Sequence, residues 1–264
     1  MIQPPTFNTK DSDELCKEIA RKSNGLALLG FSGGKDSVCA WLQLRRYFHT
    51  IIPFHCCLIP HMRLRDEALA YYERVFECDR ILRMQDSALP MDLRRMVLQL
   101  PEDEEAIDAA DFFDYDKHDI MDLIRKEYGL PKVWCAFGIN LSDSLERRIY
   151  VTNMKGRNPN HKTFYPCYDW PHEKILSTVS ESGVKLSAEY QFTNRSIQGM
   201  PQTEWMQALH DNCPDDYNRL KAYYPLMEAI LARMEFRKRM NAARNAKVEA
   251  ESGDEKAEGK GEKK

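Results

Sequence analysis

Residues 31–37 read Phe31-Ser32-Gly33-Gly34-Lys35-Asp36-Ser37. Two successive glycines, two hydroxyls, an ammonium and a carboxylate in so short a space are the ingredients of a site for a phosphate-bearing anion. Without a Cβ, the glycine backbone can bring its amides close to such an anion. A helix that starts directly afterwards turns its first amides, and the positive end of its dipole, into the same space. Ser32 and Ser37 add hydroxyl donors and Lys35 adds a mobile positive charge. Asp36 can cap the helix or orient a metal-bound water. The spacing is not that of the Walker loop, which sets four residues between its first Gly and Gly-Lys. A bare Gly-Gly would mark only a strand–turn–helix connection; the full string points to phosphate.

Such a loop works only if a strand delivers it and a helix receives it. Leu26-Ala27-Leu28-Leu29-Gly30-Phe31 is a short, continuous apolar run bounded by glycine, the signature of a buried parallel strand. Asp36 to Phe48 follows with Val38, Trp41, Leu42 and Leu44 at helical spacing. Residues 51–59 read as a second strand, 65–78 as a helix, and 80–84 as a third strand. A helix over 11–24, opened by Asp11 or Ser12, precedes them. The alternation predicts an α/β fold with a doubly wound, mostly parallel sheet and right-handed crossovers. The rhythm breaks over 86–119, where 91–100 is expected to be helical and 102–119 carries nine carboxylates. That run reads as a solvated face, with a substrate lid as the alternative. A helix over 120–128 and a strand over 133–139 restore the pattern.

Residues 172–182 and 203–240 are expected as helices, the latter as one long element striped by Leu220, Tyr224, Met227, Ile230, Leu231 and Met234. From Asn241 the chain is Ala, Glu, Lys and Gly with almost no large apolar residue, and 249–264 is expected to be disordered. The boundaries predicted are a nucleotide-binding unit over 1–200 with an acidic insertion near 86–119, a helical extension over 201–240, and a charged tail over 241–264. Hydrophobic residues make up 43% of the 264 and the formal charge is −3. With a pI near 6.2, nothing global demands nucleic acid or a membrane surface. No run nears the roughly 20 apolar residues of a membrane span, and the N-terminus lacks the pattern of a signal peptide. A cytoplasmic setting is therefore expected. The eight cysteines form no C-x-x-C pair and read as reduced, mostly buried thiols, so no metal site is expected from them.

At the string Ser-Gly-Gly-Lys-Asp-Ser the chain resembles the PP-loop, or N-type ATP pyrophosphatase, superfamily. Two further stretches narrow the resemblance to the phosphoadenosine phosphosulfate reductase-like family, which includes the small subunit of bacterial ATP sulfurylase. One runs from Ala136-Phe137-Gly138-Ile139 to Arg147-Arg148-Ile149-Tyr150. The other is Tyr165-Pro166-Cys167-Tyr168-Asp169-Trp170. The resemblance covers residues 25–200 and implies a five-stranded Rossmann-like sheet of the adenine nucleotide alpha hydrolase type. It implies that ATP and Mg²⁺ are used, with Phe31, Ser32, Gly33, Gly34, Asp36 and Ser37 at the pyrophosphate end and Gly138 against the adenosine. Lys35 and one of Arg147 or Arg148 would act on the phosphates or a second substrate. Relatives of this architecture work as homodimers or with a second subunit. Asp169 reads as a helix cap and Trp170 as a core anchor.

The chain departs from that family in places that bear on activity. The reductases' late Glu-Cys-Gly-[Leu/Ile]-His element is absent, and Cys213 stands among Asp211, Asp215 and Asp216, an unfavourable setting for a thiolate. An intact loop fits a substrate that still carries a pyrophosphate. Leu58-Ile59-Pro60-His61 replaces the Asp-Thr-Gly common in the sulfurylase and reductase branches. The expectation is therefore α-phosphate chemistry: adenylyl transfer to an unidentified acceptor with release of pyrophosphate. The alternatives are a sulfonucleotide reductase and a nucleotide-binding adaptor acting through a partner.

Overall fold

The computed structural model of the chain describes residues 11–140, 145–193 and 203–258. In chain order they form α1 (Ser12–Lys22), β1 (Leu26–Gly30), α2 (Lys35–Leu44), β2 (Thr50–Cys57), α3 (Arg63–Val75) and β3 (Leu82–Gln85). There follow α4 (Ala88–Arg94), a single 3-10 turn at Pro101–Asp103, α5 (Glu104–Ala109), α6 (Lys117–Glu127), β4 (Trp134–Phe137) and α7 (Leu145–Asn153). The rest are β5 (Arg157–Asn158), β6 (Thr163–Phe164), α8 (His172–Ser182), α9 (Ala188–Thr193), α10 (Thr203–Asn212), α11 (Pro214–Tyr223) and α12 (Met227–Glu258). The sheet order is β3-β2-β1-β4-β6-β5. All neighbours are parallel except β5 and β6.

The sheet has six strands where the resemblance implied five. Four match the strands read from the sequence; the other two are the two-residue strands of a short antiparallel ribbon, too brief to leave an alternation in the sequence. β1 is apolar at every position because both of its faces are covered. One face carries Ala27, Leu29 and Phe31 into a core shared with Leu15 and Ile19 of α1, Trp41 and Leu44 of α2, and Leu69 and Tyr72 of α3. The other carries Leu28 against Ile120, Met121 and Ile124 of α6. Helices on both faces of a mostly parallel sheet make the fold a doubly wound α/β fold.

Topology fixes where a ligand can sit. From β1 the chain winds outward through β2 to β3, then returns through α6 to place β4 on the opposite side of β1. The direction of winding reverses between β1 and β4, and in open α/β sheets the crevice at the carboxyl ends of such a pair receives the ligand.

The C-terminal part differs from a single long helix. Pro214 and Pro225 interrupt it, giving three helices, since proline has no amide for the helix ladder and crowds the preceding turn. The apolar stripe therefore spans two elements: Leu220 and Tyr224 close α11, and Met227 opens α12. With Trp205, Met206 and Leu209 of α10 they build a second core against Ile59, Met62 and Leu89. α12 continues to Glu258, through residues expected to be disordered; Ala, Glu, Lys and Arg are strong helix formers even where nothing packs on them. The acidic run is solvated: Glu102, Glu104, Glu105, Asp108, Asp111 and Asp114 are all exposed. Two of its carboxylates have local work, since Asp116 and Asp119 form a capping box at the start of α6. No helix among the described residues is long and apolar enough to cross a membrane.

Candidate functional site

The end of β1 is pinned before the loop begins. The Phe31 ring stands edge-on to Trp41 and Tyr72, at 4.9 and 4.8 Å between centroids. Its amide donates to the carbonyl of Phe54 at 2.8 Å, and its carbonyl lies 2.7 Å from His55 Nδ1. A carbonyl only accepts, so Nδ1 carries the proton. Burial, reinforced by the positive charge of Arg65, pushes the His55 pKa down to about 3, and the ring stays neutral. Phe31 thus has its ring in the core and both backbone groups hydrogen-bonded, which fixes where the loop starts.

Gly33 holds φ +75°, a left-handed conformation that side chains rarely adopt, and its carbonyl accepts from Tyr72 Oη at 3.0 Å. The Gly34 amide donates to Ser32 Oγ (3.3 Å), Ser32 Oγ lies 3.2 Å from Ser37 Oγ, and Ser37 Oγ donates to the Gly34 carbonyl (2.8 Å). Both hydroxyl protons are therefore parked inside the loop, one bond rotation away from an incoming anion. Lys35 Nζ is 2.6 Å from Asp36 Oδ2. Asp36 thus restrains the lysine instead of capping the helix: α2 begins on Gly34 without a side-chain cap.

The neighbouring helix shows what a closed terminus looks like. α3 starts at the same edge of the sheet, and its Arg63 and Leu64 amides donate to the two oxygens of Asp216, at 2.7 and 2.8 Å. Asp216 is buried and comes from α11. One helix start at this edge is thus sealed by an internal carboxylate, whereas α2 begins on a residue that has no side chain.

Gly138 joins the loop from β4. The position of a Cβ there would lie 2.5 Å from Asp36 C, Asp36 O and Ser37 N. The strand end rests directly on the first turn of α2, which only glycine permits. Beyond it, buried Asn140 donates to the carbonyls of Cys167 (3.3 Å) and Trp170 (2.6 Å), tying this edge to the Asp169-Trp170 element. Asp169 does not cap the helix that follows it, because Pro171 occupies the N-cap of α8 and Asp169 stands too far before the first turn. Its carboxylate instead accepts from the Ser12 amide at 3.1 Å, and Trp170 Nε1 donates to Ser12 Oγ at 3.1 Å. The pair latches the start of α1 to the core, with Trp170 buried as an anchor.

Three residues at the loop carry no motif. Arg65 Nη1 donates to the Ser32 carbonyl at 3.1 Å, and together with Tyr72 and Ser187 it surrounds the open side of Gly33. A signal for Arg65 did exist. It stands at the head of the face that Leu69, Tyr72 and Phe76 continue at helical spacing, and a charge ending an apolar stripe at a strand's carboxyl edge points at the site. Ser187 reaches the loop from a distant segment, and nothing in its surroundings announces it.

The structure therefore brings together Phe31, Ser32, Gly33, Gly34, Lys35, Asp36, Ser37 and Gly138. Arg148 is exposed on α7, and the Arg147 side chain lies outside the described residues. Cys213 is partly buried against the second core, where its amide donates to Leu209 and its carbonyl accepts from Tyr217. Burial raises the thiols of Cys39 and Cys56 to about 12, so they are protonated and inert. Among the described residues no group of three or more His, Cys, Asp or Glu could hold a metal ion. An open groove of about 680 Å³ beside Lys17, Arg21 and Tyr47 lies at the amino ends of the strands, away from this chemistry.

No family model matches the chain, and no curated protein does. Among solved structures it is similar to the U34-tRNA thiolase NcsA from Methanococcus maripaludis, with 17% identity, 83% of this chain and 78% of that one covered, and a TM-score of 0.46. It is similar to the NH3-dependent NAD synthetase from Campylobacter jejuni, with 11% identity, 85% and 92% covered, and a TM-score of 0.43. A predicted subunit of tRNA methyltransferase from Methanocaldococcus jannaschii gives 15%, 73% and 91%, and 0.35. At such identities and scores the likeness carries no residue from those proteins to this one.

Proposed function

We propose that the chain is an ATP-using enzyme of the PP-loop type that cleaves ATP between the α- and β-phosphates and passes the adenylyl group to an acceptor. One observation carries this reading. The Ser-Gly-Gly-Lys-Asp-Ser loop sits at the point where the winding of the sheet reverses, ahead of a helix whose N-cap has no side chain. The donor set fits a polyphosphate: a left-handed glycine, two serine hydroxyls, an ammonium, and the Arg65 guanidinium at the loop. When bound, ATP would supply an electrophilic α-phosphorus and a pyrophosphate leaving group, with Mg²⁺ held mostly on its phosphate oxygens.

The residues' part is positioning and charge. Ser32 and Ser37 turn their hydroxyls from the loop's internal bonds toward the phosphates. Lys35 leaves Asp36 to offset charge growing on the leaving group. Arg65 offers a planar fork suited to oxyanions. Gly138 keeps β4 close enough for the adenosine to lie across it, and Arg147 or Arg148 orients the acceptor. Residues 1–200 form the nucleotide-binding unit, 201–240 an extension that braces α3, and 241–264 a charged tail. Membership of the phosphoadenosine phosphosulfate reductase-like branch, a role in sulfur metabolism and a cytoplasmic site of action belong to the same reading. Cys213 speaks against the reductase alternative, since it packs on a core and stands among carboxylates.

The test is turnover of ATP with Mg²⁺, alone and with sulfate or bulk tRNA, in the wild type and in Gly34→Asp and Lys35→Ala. Pyrophosphate release lost in both variants supports the loop assignment. Unchanged turnover in both removes it.

A further inference from the structure

α12 stands clear of the body: every side chain from Glu235 to Asn245 is exposed. Its inward side is set by Met227, buried in the second core, and by Leu231, packed against that core. At about 100° per residue, Phe236, Met240, Arg233, Arg244 and Arg237 fall together on the opposite side, within an arc of about 100°, the width of a docking stripe. Phe236 and Met240 are 63% and 55% exposed there. Between residues 233 and 247 six basic residues face one acidic residue, a local charge of +5. Arginine, phenylalanine and methionine are the residues enriched at protein interfaces.

The complement is in the same chain. Residues 102–116 hold eight carboxylates and no basic residue, a local charge of −8. Exposed along them stands Phe113, 74% accessible. Among the described residues no ion pair joins these two segments within one chain; Asp114 pairs with Arg94, and Arg239 with Glu235. We propose that two copies of the chain associate, the arginine face of α12 in each lying on the acidic segment of the other. Under two-fold symmetry each copy gives one surface of either kind, so both contacts are satisfied at once. A net charge of −3 favours this occupant over nucleic acid, which the acidic segment would repel.

The full chain would be followed by sedimentation velocity at about 50 mM and about 500 mM NaCl, where screening shortens from roughly 14 to 4 Å. The wild type is expected to be dimeric at low salt, with a dissociation constant at least tenfold weaker at high salt. Arg233→Glu/Arg237→Glu/Arg244→Glu, which takes the helix segment from +5 to −1, and Glu102→Lys/Asp103→Lys/Glu104→Lys/Glu105→Lys/Asp108→Lys/Asp111→Lys, which takes the acidic segment from −8 to +4, should each be monomeric alone. Mixed together they should pair, because every opposed surface is again of opposite sign; a misfolded variant would not. Lys238→Glu, on the side of α12 that faces Asp211, should dimerise as the wild type does. A wild type that stays monomeric at low salt, or variants that fail to pair when mixed, overturns the proposal. So does a monomer whose α12 arginines instead bind a short nucleic-acid duplex.

Discussion

Gly138→Ala probes the join between strand and loop. The added methyl would lie 2.5 Å from three backbone atoms of Asp36 and Ser37, whereas carbon contacts settle at about 3.5–4.0 Å. The strand end and the helix start must therefore separate by about 1 Å. Neither side gives easily. β4 is paired to β1 on one side and β6 on the other, and α2 is held by buried Val38 and Trp41. Overpacking of this kind costs about 1–3 kcal/mol, and the upper half applies where both partners are backbone. Displacement of the first turn of α2 also moves the phosphate donors, and an error of about 1 Å can cost about a hundredfold in rate. Gly183→Ala is the comparison: that residue has φ +68° and open space around it, so it bears only a backbone cost of about 1 kcal/mol. Urea unfolding and ATP titration calorimetry on both variants separate the two effects. Gly138→Ala should lose more stability than Gly183→Ala and should alone lose ATP affinity. A Gly138→Ala protein with wild-type affinity and stability would refute the packing argument.

Other substitutions test other links. Arg65→Ala removes a charged donor beside Gly33, and charge-assisted hydrogen bonds contribute about 1.5–3 kcal/mol. Its ATP affinity should fall roughly ten- to a hundredfold, with Arg65→Lys recovering only part; unchanged affinity would restrict Arg65 to holding the Ser32 carbonyl. Asp216→Ala takes the carboxylate from the two amides at the start of α3 and should cost about 2 kcal/mol in urea unfolding. Asp216→Asn, which keeps one acceptor, should cost less. His55 has its folded pKa lowered from 6.5 to about 3, so between those values the unfolded chain binds a proton that the native one does not. Stability should thus fall as pH drops below 6.5, by up to about 1.4 kcal/mol per pH unit. His55→Asn keeps a donor to Phe31 and should flatten that dependence; equal slopes in both proteins would remove His55 as the cause.

Periodicity carried the sheet and its helices because each of those segments buries its own apolar face. β1, α2 and β2 were legible for that reason, and α8 was read at its observed bounds. The loop was legible because phosphate chemistry needs those residue types next to one another in sequence. Ser187 and Asp216 were not, because each reaches the site, or braces it, from a distant segment; Arg65 left a signal only in its place at the head of the Leu69, Tyr72 and Phe76 face, outside any motif. The Asp169 contact with Ser12 spans 157 residues, so its role followed only from the folded chain. The ribbon of β5 and β6 left no pattern because two residues cannot alternate. The break of the C-terminal helix was visible as Pro214 and Pro225, but the apolar stripe from Leu220 running past Pro225 suggested continuity.

ATP labelled in turn at the α- and γ-phosphate, incubated with the chain and Mg²⁺ and resolved by product, tests the assignment most directly. α,β-cleavage predicts label from the α-position in AMP or an adenylylated acceptor, and label from the γ-position in pyrophosphate. Label from the γ-position released as orthophosphate with ADP, or ATP bound and recovered intact with every acceptor offered, would contradict it.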